Sequence, residues 1–243
     1  MRAAVGFLTR FPVGRQDLPD YFAVLGRQAP LFPVVGALVG AGTLAADAGA
    51  GLLFGPAVRS AAAVAAGVWI TGALHLDGLM DTADGVGSHR SRERMLEIMK
   101  DSRVGAMGVV AGVLSLLLRF ALLLEVPAQL RWQALLLAPA LGRMMLAASA
   151  GLFPPAQPGG IGAAFAAHVG RRRALGAMAV GLVLAAILAQ TRGGAAWAVA
   201  LAAGLLAARA LSRKLGGLTG DTYGAVGEVA EVGALACFAA GLP

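Results

Sequence analysis

Asp77, Asp81 and Asp84 stand at spacings i, i+4 and i+7 within the run His75-Leu76-Asp77-Gly78-Leu79-Met80-Asp81-Thr82-Ala83-Asp84-Gly85, in a chain with only thirteen acidic residues. On a helix the three carboxylates share one stripe. Like charges stacked this way repel by roughly 0.2–0.5 kcal/mol per exposed pair, and by more when desolvated. No basic residue on that face relieves the repulsion, whereas a divalent cation would. The stripe follows an apolar stretch, 57–74, that is long enough to enter a bilayer, which puts the carboxylates at or just beneath its surface. His75, directly ahead of them, is a candidate base, phosphate contact or hydrogen-bonded interface residue.

A second acidic group follows the glycine-rich turn Gly216-Gly217-Leu218-Thr219-Gly220-Asp221-Thr222-Tyr223-Gly224 and adds Glu228 and Glu231. The chain ends soon afterwards, so a span of about 20 residues must start near Thr222 and draws both glutamates into the bilayer. Carboxylates there cost at least about 2.5 kcal/mol each unless paired or coordinated. If Asp221 opens the helix, Asp221, Glu228 and Glu231 share a face that can oppose the first acidic stripe. Oxygen-rich, cysteine-free clusters of this kind suit magnesium, which keeps waters and bridges to substrate phosphates. The free backbone N–H groups of the glycine turn, at a helix N-terminus, favour phosphate oxygens.

Positioning these groups falls to a membrane bundle. Of 243 residues, 58% are hydrophobic and only 14% charged, with a mean hydropathy of +0.75. The expected fold class is all-α, a polytopic helical bundle. Seven segments qualify as spans: 31–54, 57–76, 104–125, 132–151, 174–191, 194–212 and 222–242. They leave no room for a separate soluble domain, so one membrane-embedded domain over 1–243 is expected. The apolar runs are continuous where a β-barrel would alternate.

The net charge of +7 could signal nucleic acid, but the basic residues are sorted by loop. Arg2, Arg10, Arg15, Arg27, Arg90, Arg92, Arg94, Lys100, Arg103, Arg171, Arg172, Arg173, Arg213 and Lys214 fall on one side of the seven spans, and Arg59, Arg131 and Arg192 on the other. The positive-inside rule then puts the N-terminus and both acidic groups in the cytoplasm and the C-terminus outside. No nucleic-acid partner is expected. The excess of Arg over Lys, eighteen to two, reads as readily as genomic base composition as phosphate binding. The single Cys237 excludes internal disulfides and a Cys-based zinc site. The N-terminus does not resemble a cleavable signal peptide.

Several segments carry a structural reading beside a functional one. Residues 1–30, with Phe7, Phe11, Tyr21 and Phe22 among arginines, read as a surface-lying or re-entrant anchor. The glycines of the first span suit close helix packing. Ser91 is a candidate N-cap for an amphipathic interfacial helix running to about Ser102. On it Glu93, Glu97 and Asp101 have Arg90, Arg94 and Lys100 within pairing reach. Residues 152–173 read as a proline- and glycine-rich loop ending in the Arg171-Arg172-Arg173 topology anchor. Arg119 and Arg143 lie well inside predicted spans. They are expected either to meet a phosphate or an acidic residue of the site, or to pair with a distant structural carboxylate such as Asp47.

The whole pattern resembles the cobalamin synthase family, adenosylcobinamide-GDP ribazoletransferase. The resemblance rests on Phe7-Leu8-Thr9-Arg10-Phe11-Pro12, Phe32-Pro33-Val34-Val35-Gly36, the run from Thr71 to Gly85, Glu97-Ile98-Met99-Lys100-Asp101-Ser102-Arg103-Val104-Gly105, and Gly217 to Ala225 with Glu228 and Glu231 beyond. These blocks run nearly end to end. The one departure is Phe11, where a smaller aliphatic residue is expected before Pro12.

The resemblance implies a bacterial inner-membrane enzyme of the last stage of cobalamin assembly, with its active site facing the cytoplasm. It would join adenosylcobinamide-GDP to α-ribazole or its 5'-phosphate, releasing GMP and requiring Mg2+. The implied metal ligands are Asp77, Asp81, Asp84, Asp221 and Glu228. Asp81, Asp84 and His75 become the catalytic candidates, and Lys100, Arg103, Arg143, Thr219, Gly220 and Arg10 the substrate contacts. A homo-oligomer or a complex with other cobalamin-assembly enzymes is compatible with it. Two rivals use the same features: a CDP-alcohol phosphotransferase or prenyltransferase-like membrane enzyme, and a divalent cation transporter, which would need acids spread through the membrane depth.

Overall fold

A computed structural model describes residues 1–13 and 20–240, leaving Arg15 and Pro243 outside the described residues. Every regular element among the described residues is helical: α1 Arg2–Leu8, α2 Tyr21–Gln28, α3 Phe32–Gly51, α4 Pro56–Thr71, α5 Leu74–Gly87, α6 Arg92–Ile98, α7 Ala106–Glu125, α8 Arg131–Leu152, α9 Gly160–Leu215 and α10 Gly220–Ala239. Six of the seven expected spans fall on these helices as far as they are described, but the span expected over 57–76 is broken, running from α4 across a bend at Gly72 and Ala73 into the first residues of α5. By length and composition alone, Tyr21–Gly51, Ala106–Glu125, Arg131–Leu152 and Gly160–Leu215 can each cross a membrane. α4 and α5 qualify only as a pair, and that pair bends by 88°. α10 carries Asp221, Glu228 and Glu231, and it buries both glutamates inside the bundle instead of facing lipid.

Local sequence explains the boundaries. Pro33 and Pro56 sit in the first turns of α3 and α4, where a missing N–H is harmless. Ser91 caps α6, its hydroxyl accepting from the Arg94 N–H, although the helix stops at Ile98 and not near Ser102. Thr219 and Thr222 form a reciprocal cap on α10. The bend between α4 and α5 is made by two consecutive left-handed residues, Gly72 at φ 62° and Ala73 at φ 61°. For a residue with a Cβ, such as Ala73, that conformation is held at a cost of about 1–2 kcal/mol. α5 therefore runs crosswise to α4 and does not prolong it.

The 56-residue α9 is three arms. Non-helical dihedrals at Gly170 and Gln190 divide it, and after Gln190 the chain doubles back. The Trp197 indole N–H donates to the Met178 carbonyl at 3.1 Å across that hairpin. A side chain on Gly193 would collide with the Ala185 backbone, so the turn requires glycine. The second and third arms, after Gly170 and after Gln190, correspond to the two expected spans 174–191 and 194–212.

α8 is the axis of the bundle, buried along nearly its whole length from Arg131 to Ala150. α3 lies against it where Gly36 and Gly40 meet the backbone of Pro139 and Leu135, too close for any Cβ. At the end away from α5, Asp47 accepts from Arg131 at 2.7 Å and from Arg59 at 2.6 Å. That pairing settles what Asp47 is for: it neutralises the far-side arginines and leaves Arg119 and Arg143 to other partners. The anchor expected over residues 1–30 is partly a core element, since Ala3, Ala4, Leu8 and Leu25 are buried.

Candidate active site

α5 and the first turn of α10 cross in direct backbone contact. A Cβ on Gly78 would sit 2.7 Å from the Asp221 carbonyl, and one on Gly224 3.2 Å from the His75 backbone. Those two glycines bring the acidic stripe of α5 against Asp221. The consequence is electrostatic: the Asp81 carboxyl is pushed up to about 6, first by burial and then by Asp77, Asp221 and Asp84. Three neighbouring carboxylates without a cation leave Asp81 poised between its charged and neutral forms. His75 is buried on the same crossing, 4% exposed. Neither of its ring nitrogens has a partner among the described residues.

Beside this crossing lies a cavity of about 520 Å³. Asp77, His75, Lys100, Thr219, Gly220 and Asp221 line it, together with the segment from Gln157 to Ala163. Two helix N-termini meet at its wall. α10 begins at Gly220 and α9 at Gly160, and a Cβ on Gly162 would stand 2.5 Å from the Gly220 nitrogen. Free N–H groups from both helices and the positive ends of both dipoles therefore face one space, an arrangement suited to phosphate oxygens. The Lys100 ammonium joins them and donates to the Gln157 side chain at 2.8 Å.

The wall is tied together across long sequence distances. Leu218 N–H donates to the Pro154 carbonyl at 2.8 Å and Ala156 N–H to the Leu218 carbonyl at 2.9 Å. Arg92 donates to the Leu215 and Ala156 carbonyls, fixing the same loop to the end of α9.

Several expected site residues have other work. Each oxygen of Asp84 accepts from a backbone N–H, of Gly105 and of Gly108, both at 2.7 Å, so Asp84 caps the start of α7 and keeps only its remaining lone pairs for any other partner. Gly105 and Gly108 have to be glycines because a Cβ at either would strike that carboxylate. Glu228 is buried in an ion pair with Arg119 and a 3.3 Å bond from Ser115, away from the cavity wall. Arg143 pairs with Glu231, which Arg119 also reaches at 3.3 Å, so Arg143 answers an acid inside the bundle and not a phosphate in the cavity. Arg103 is exposed and holds Asp101 at 2.7 Å, keeping the Asp101 carboxyl down at about 2. Arg10 packs its aliphatic stem against Gly72 at the α4–α5 bend.

Among the described residues no three carboxylate, imidazole or thiol side chains form a ready-made metal cage. Asp77, Asp81 and Asp221 are the acids left over. An incomplete protein donor set of hard oxygens is what magnesium takes when waters and substrate phosphates supply the rest, so the residues fit that ion. Replacing Asp84 by Ala should lower stability by about 0.5–2 kcal/mol through the lost helix cap, measurable as a lower melting temperature in detergent.

Sequence reasoning missed Gln157, Tyr223 and the 159–163 wall. The run Gly159-Gly160-Ile161-Gly162 ahead of a helix carried the same signal as the turn at 216–220, but the neighbouring prolines made the segment read as loop alone.

A helical bundle with a crosswise acidic helix and a phosphate-friendly cavity defines the class as a polytopic membrane enzyme. The sequence model for cobalamin-5-phosphate synthase matches residues 1–239, and the chain belongs to that family. Similar proteins named adenosylcobinamide-GDP ribazoletransferase occur in Herpetosiphon aurantiacus, 42% identical over 98% of this chain and 94% of the relative, and in Roseiflexus sp., 42% identical over 99% and 89%. A further one, from Desulforamulus reducens, is 37% identical over 95% of this chain and 92% of its own length. No solved structure matches. The protein is a transferase of cobalamin biosynthesis.

Proposed function

We propose that the protein transfers the adenosylcobinamide phosphate moiety of adenosylcobinamide-GDP to α-ribazole or its 5'-phosphate, giving adenosylcobalamin or its 5'-phosphate and GMP, with Mg2+. The observation that carries this reading is the convergence of Asp77, Asp221 and Lys100 with two helix N-termini around one cavity, with Asp81 close enough to Asp77 and Asp221 to feel their charge. Asp77, Asp81 and Asp221 would hold the magnesium, which when bound neutralises diphosphate charge and the charge developing on the leaving GMP.

The rest falls to the chain's own groups. Lys100 and the N–H groups at 160–162 and of Gly220 hold phosphate oxygens and orient the diphosphate. A ribose hydroxyl attacks the phosphorus nearer the corrinoid arm. The new O–P bond forms as the bond to the bridging oxygen breaks, and GMP leaves with that oxygen. The hydroxyl proton goes to one of the carboxylates of this group or to His75, which lines the cavity with neither ring nitrogen partnered among the described residues.

The test is incubation of purified protein with adenosylcobinamide-GDP, α-ribazole and magnesium in detergent. Formation of the joined corrinoid with one GMP per turnover is expected, lost on chelation and restored by magnesium. Release of CMP from a CDP-alcohol instead, or a requirement for a membrane gradient, would overturn the reading.

The reading also places the protein in the bacterial cytoplasmic membrane with this cavity on the cytoplasmic side, as one domain over 1–243. The distribution of basic residues supports it. A reporter fused after Pro243 is expected outside the cytoplasm, and cytoplasmic activity of that fusion would reverse the assigned topology.

A further inference from the structure

We propose that the cavity is the seat of the nucleoside acceptor, entered base first, with the corrinoid remaining outside; this rests on the transferase reading above. Burial grades the cavity from end to end. Its inner wall is apolar and closed: Leu146 is 4% exposed, Phe165 3% and Tyr223 2%. The rim, with Asp77, Lys100 and Gly160, is open to solvent. A volume of about 520 Å³ lies in the range that encloses a nucleoside-sized molecule. An adenosylated corrin ring is far larger than that.

The inner wall is also aromatic. The Phe165 ring stacks on Phe32 at 5.6 Å and on Phe7 at 6.1 Å and meets Tyr223 edge-on at 6.5 Å. Such a surface takes a flat ring by stacking and edge contacts. The base of ribazole is dimethylbenzimidazole, an apolar bicycle with no exocyclic amino or carbonyl group and, once joined to ribose, a single free ring nitrogen that accepts hydrogen bonds. The wall complements it. Its apolar side chains ask nothing polar of the base, and two buried polar groups on the same wall, the Tyr223 hydroxyl and the His75 imidazole, have no partner among the described residues. Buried groups of that kind are normally satisfied, and a ring-nitrogen acceptor suits a phenolic O–H. A guanine there would bury its amino and carbonyl groups, and an adenine its amino group, against Leu146, Phe7 and Phe165 unpaired. The guanosine half of the donor is therefore excluded with the corrinoid, and both lie across the rim, while the ribose hydroxyls of the acceptor emerge beside Asp77 and Asp221.

Two variants test this through separate Michaelis constants for the two substrates. Ala163→Phe fills the cavity, and Phe7→Asn places an amide on its half-buried apolar wall. Each should raise the KM for α-ribazole by roughly tenfold or more and leave the KM for adenosylcobinamide-GDP within about twofold. Phe7→Asn should also narrow the preference for the benzimidazole riboside over the α-riboside of adenine. An increase in KM for the donor instead, or equal increases for both substrates, overturns the assignment by placing the guanosine end in the cavity. Should Ala163→Phe fail to insert, Phe7→Asn alone decides between these outcomes. Wild-type protein that makes no GMP from this pair of substrates would instead sink the transferase reading, a failure distinct from a KM change in the wrong substrate.

Discussion

Asp81→Asn should abolish GMP release, by about 100-fold or more, in a protein that still inserts and folds. The physical reason is that Asp81 faces Asp77, Asp221 and Asp84 and is raised to about 6. Removing its charge takes away a proposed metal ligand.

The sign of the stability effect separates this from simple misfolding. A carboxyl raised from its ordinary value of 3.8 to about 6 contributes stability fully below 3.8 and loses it as pH rises through 6. At pH 7 the ionised Asp81 therefore weakens the metal-free protein. Asn lacks that charge, so the metal-free variant should melt no lower than wild type at pH 7 and above. Magnesium should raise the melting temperature of wild type and leave that of the variant unmoved. The activity of wild type should fall as pH drops through about 6, where protons displace metal. Wild-type turnover by Asp81→Asn would remove the metal-site assignment, and a variant that melts far below wild type without metal would make Asp81 a structural residue.

Arg143→Met should be the most destabilising single change in the bundle, by about 3–5 kcal/mol. Arg119, Arg143, Glu228 and Glu231 form a chain of ion pairs with every member at most 9% exposed. Deleting one guanidinium leaves Glu231 charged and half-partnered in a space water does not reach. The double change Arg143→Met with Glu231→Leu removes one charge of each sign and leaves the Arg119–Glu228 pair intact, so most of the lost stability should return. Thermal unfolding of the detergent-purified variants measures both. If the double variant is as unstable as the single one, the pair acts through packing and not through charge.

The pattern of apolar runs made the helices legible in sequence because bilayer thickness imposes a length on each. Spacing showed that Asp77 and Asp81 would face one way, and the glycine turn showed where α10 begins. Three-dimensional assignment of the remaining charges was not legible, for a common reason. Asp84 fits the i+7 position of the stripe, yet the α7 N-terminus reaches it first, and no local signal says which of several nearby N–H groups a carboxylate will meet. Glu228 and Arg143 carry correct signals of burial, since charged groups at that depth need partners. Sequence gives the need and not the pairing: each found the other kind of charge on a neighbouring helix. Gly78, Gly162 and Gly224 are similar cases. Their tolerance for close approach can be read from residue type, but the backbone they admit comes from elements far away in the chain.

The right-angle bend at Gly72 and Ala73 also decides what the acidic row can do. An ion handed along α5 would travel sideways across the face of the bundle, as along a shelf, and deeper in it would meet only the mutually neutralised pairs of Glu228 and Glu231 with their arginines. Among the described residues no staircase of unpaired acids descends towards Asp47, which is itself occupied by Arg59 and Arg131. A metal bound there, as proposed, would sit in a cul-de-sac, held for chemistry and not conducted through.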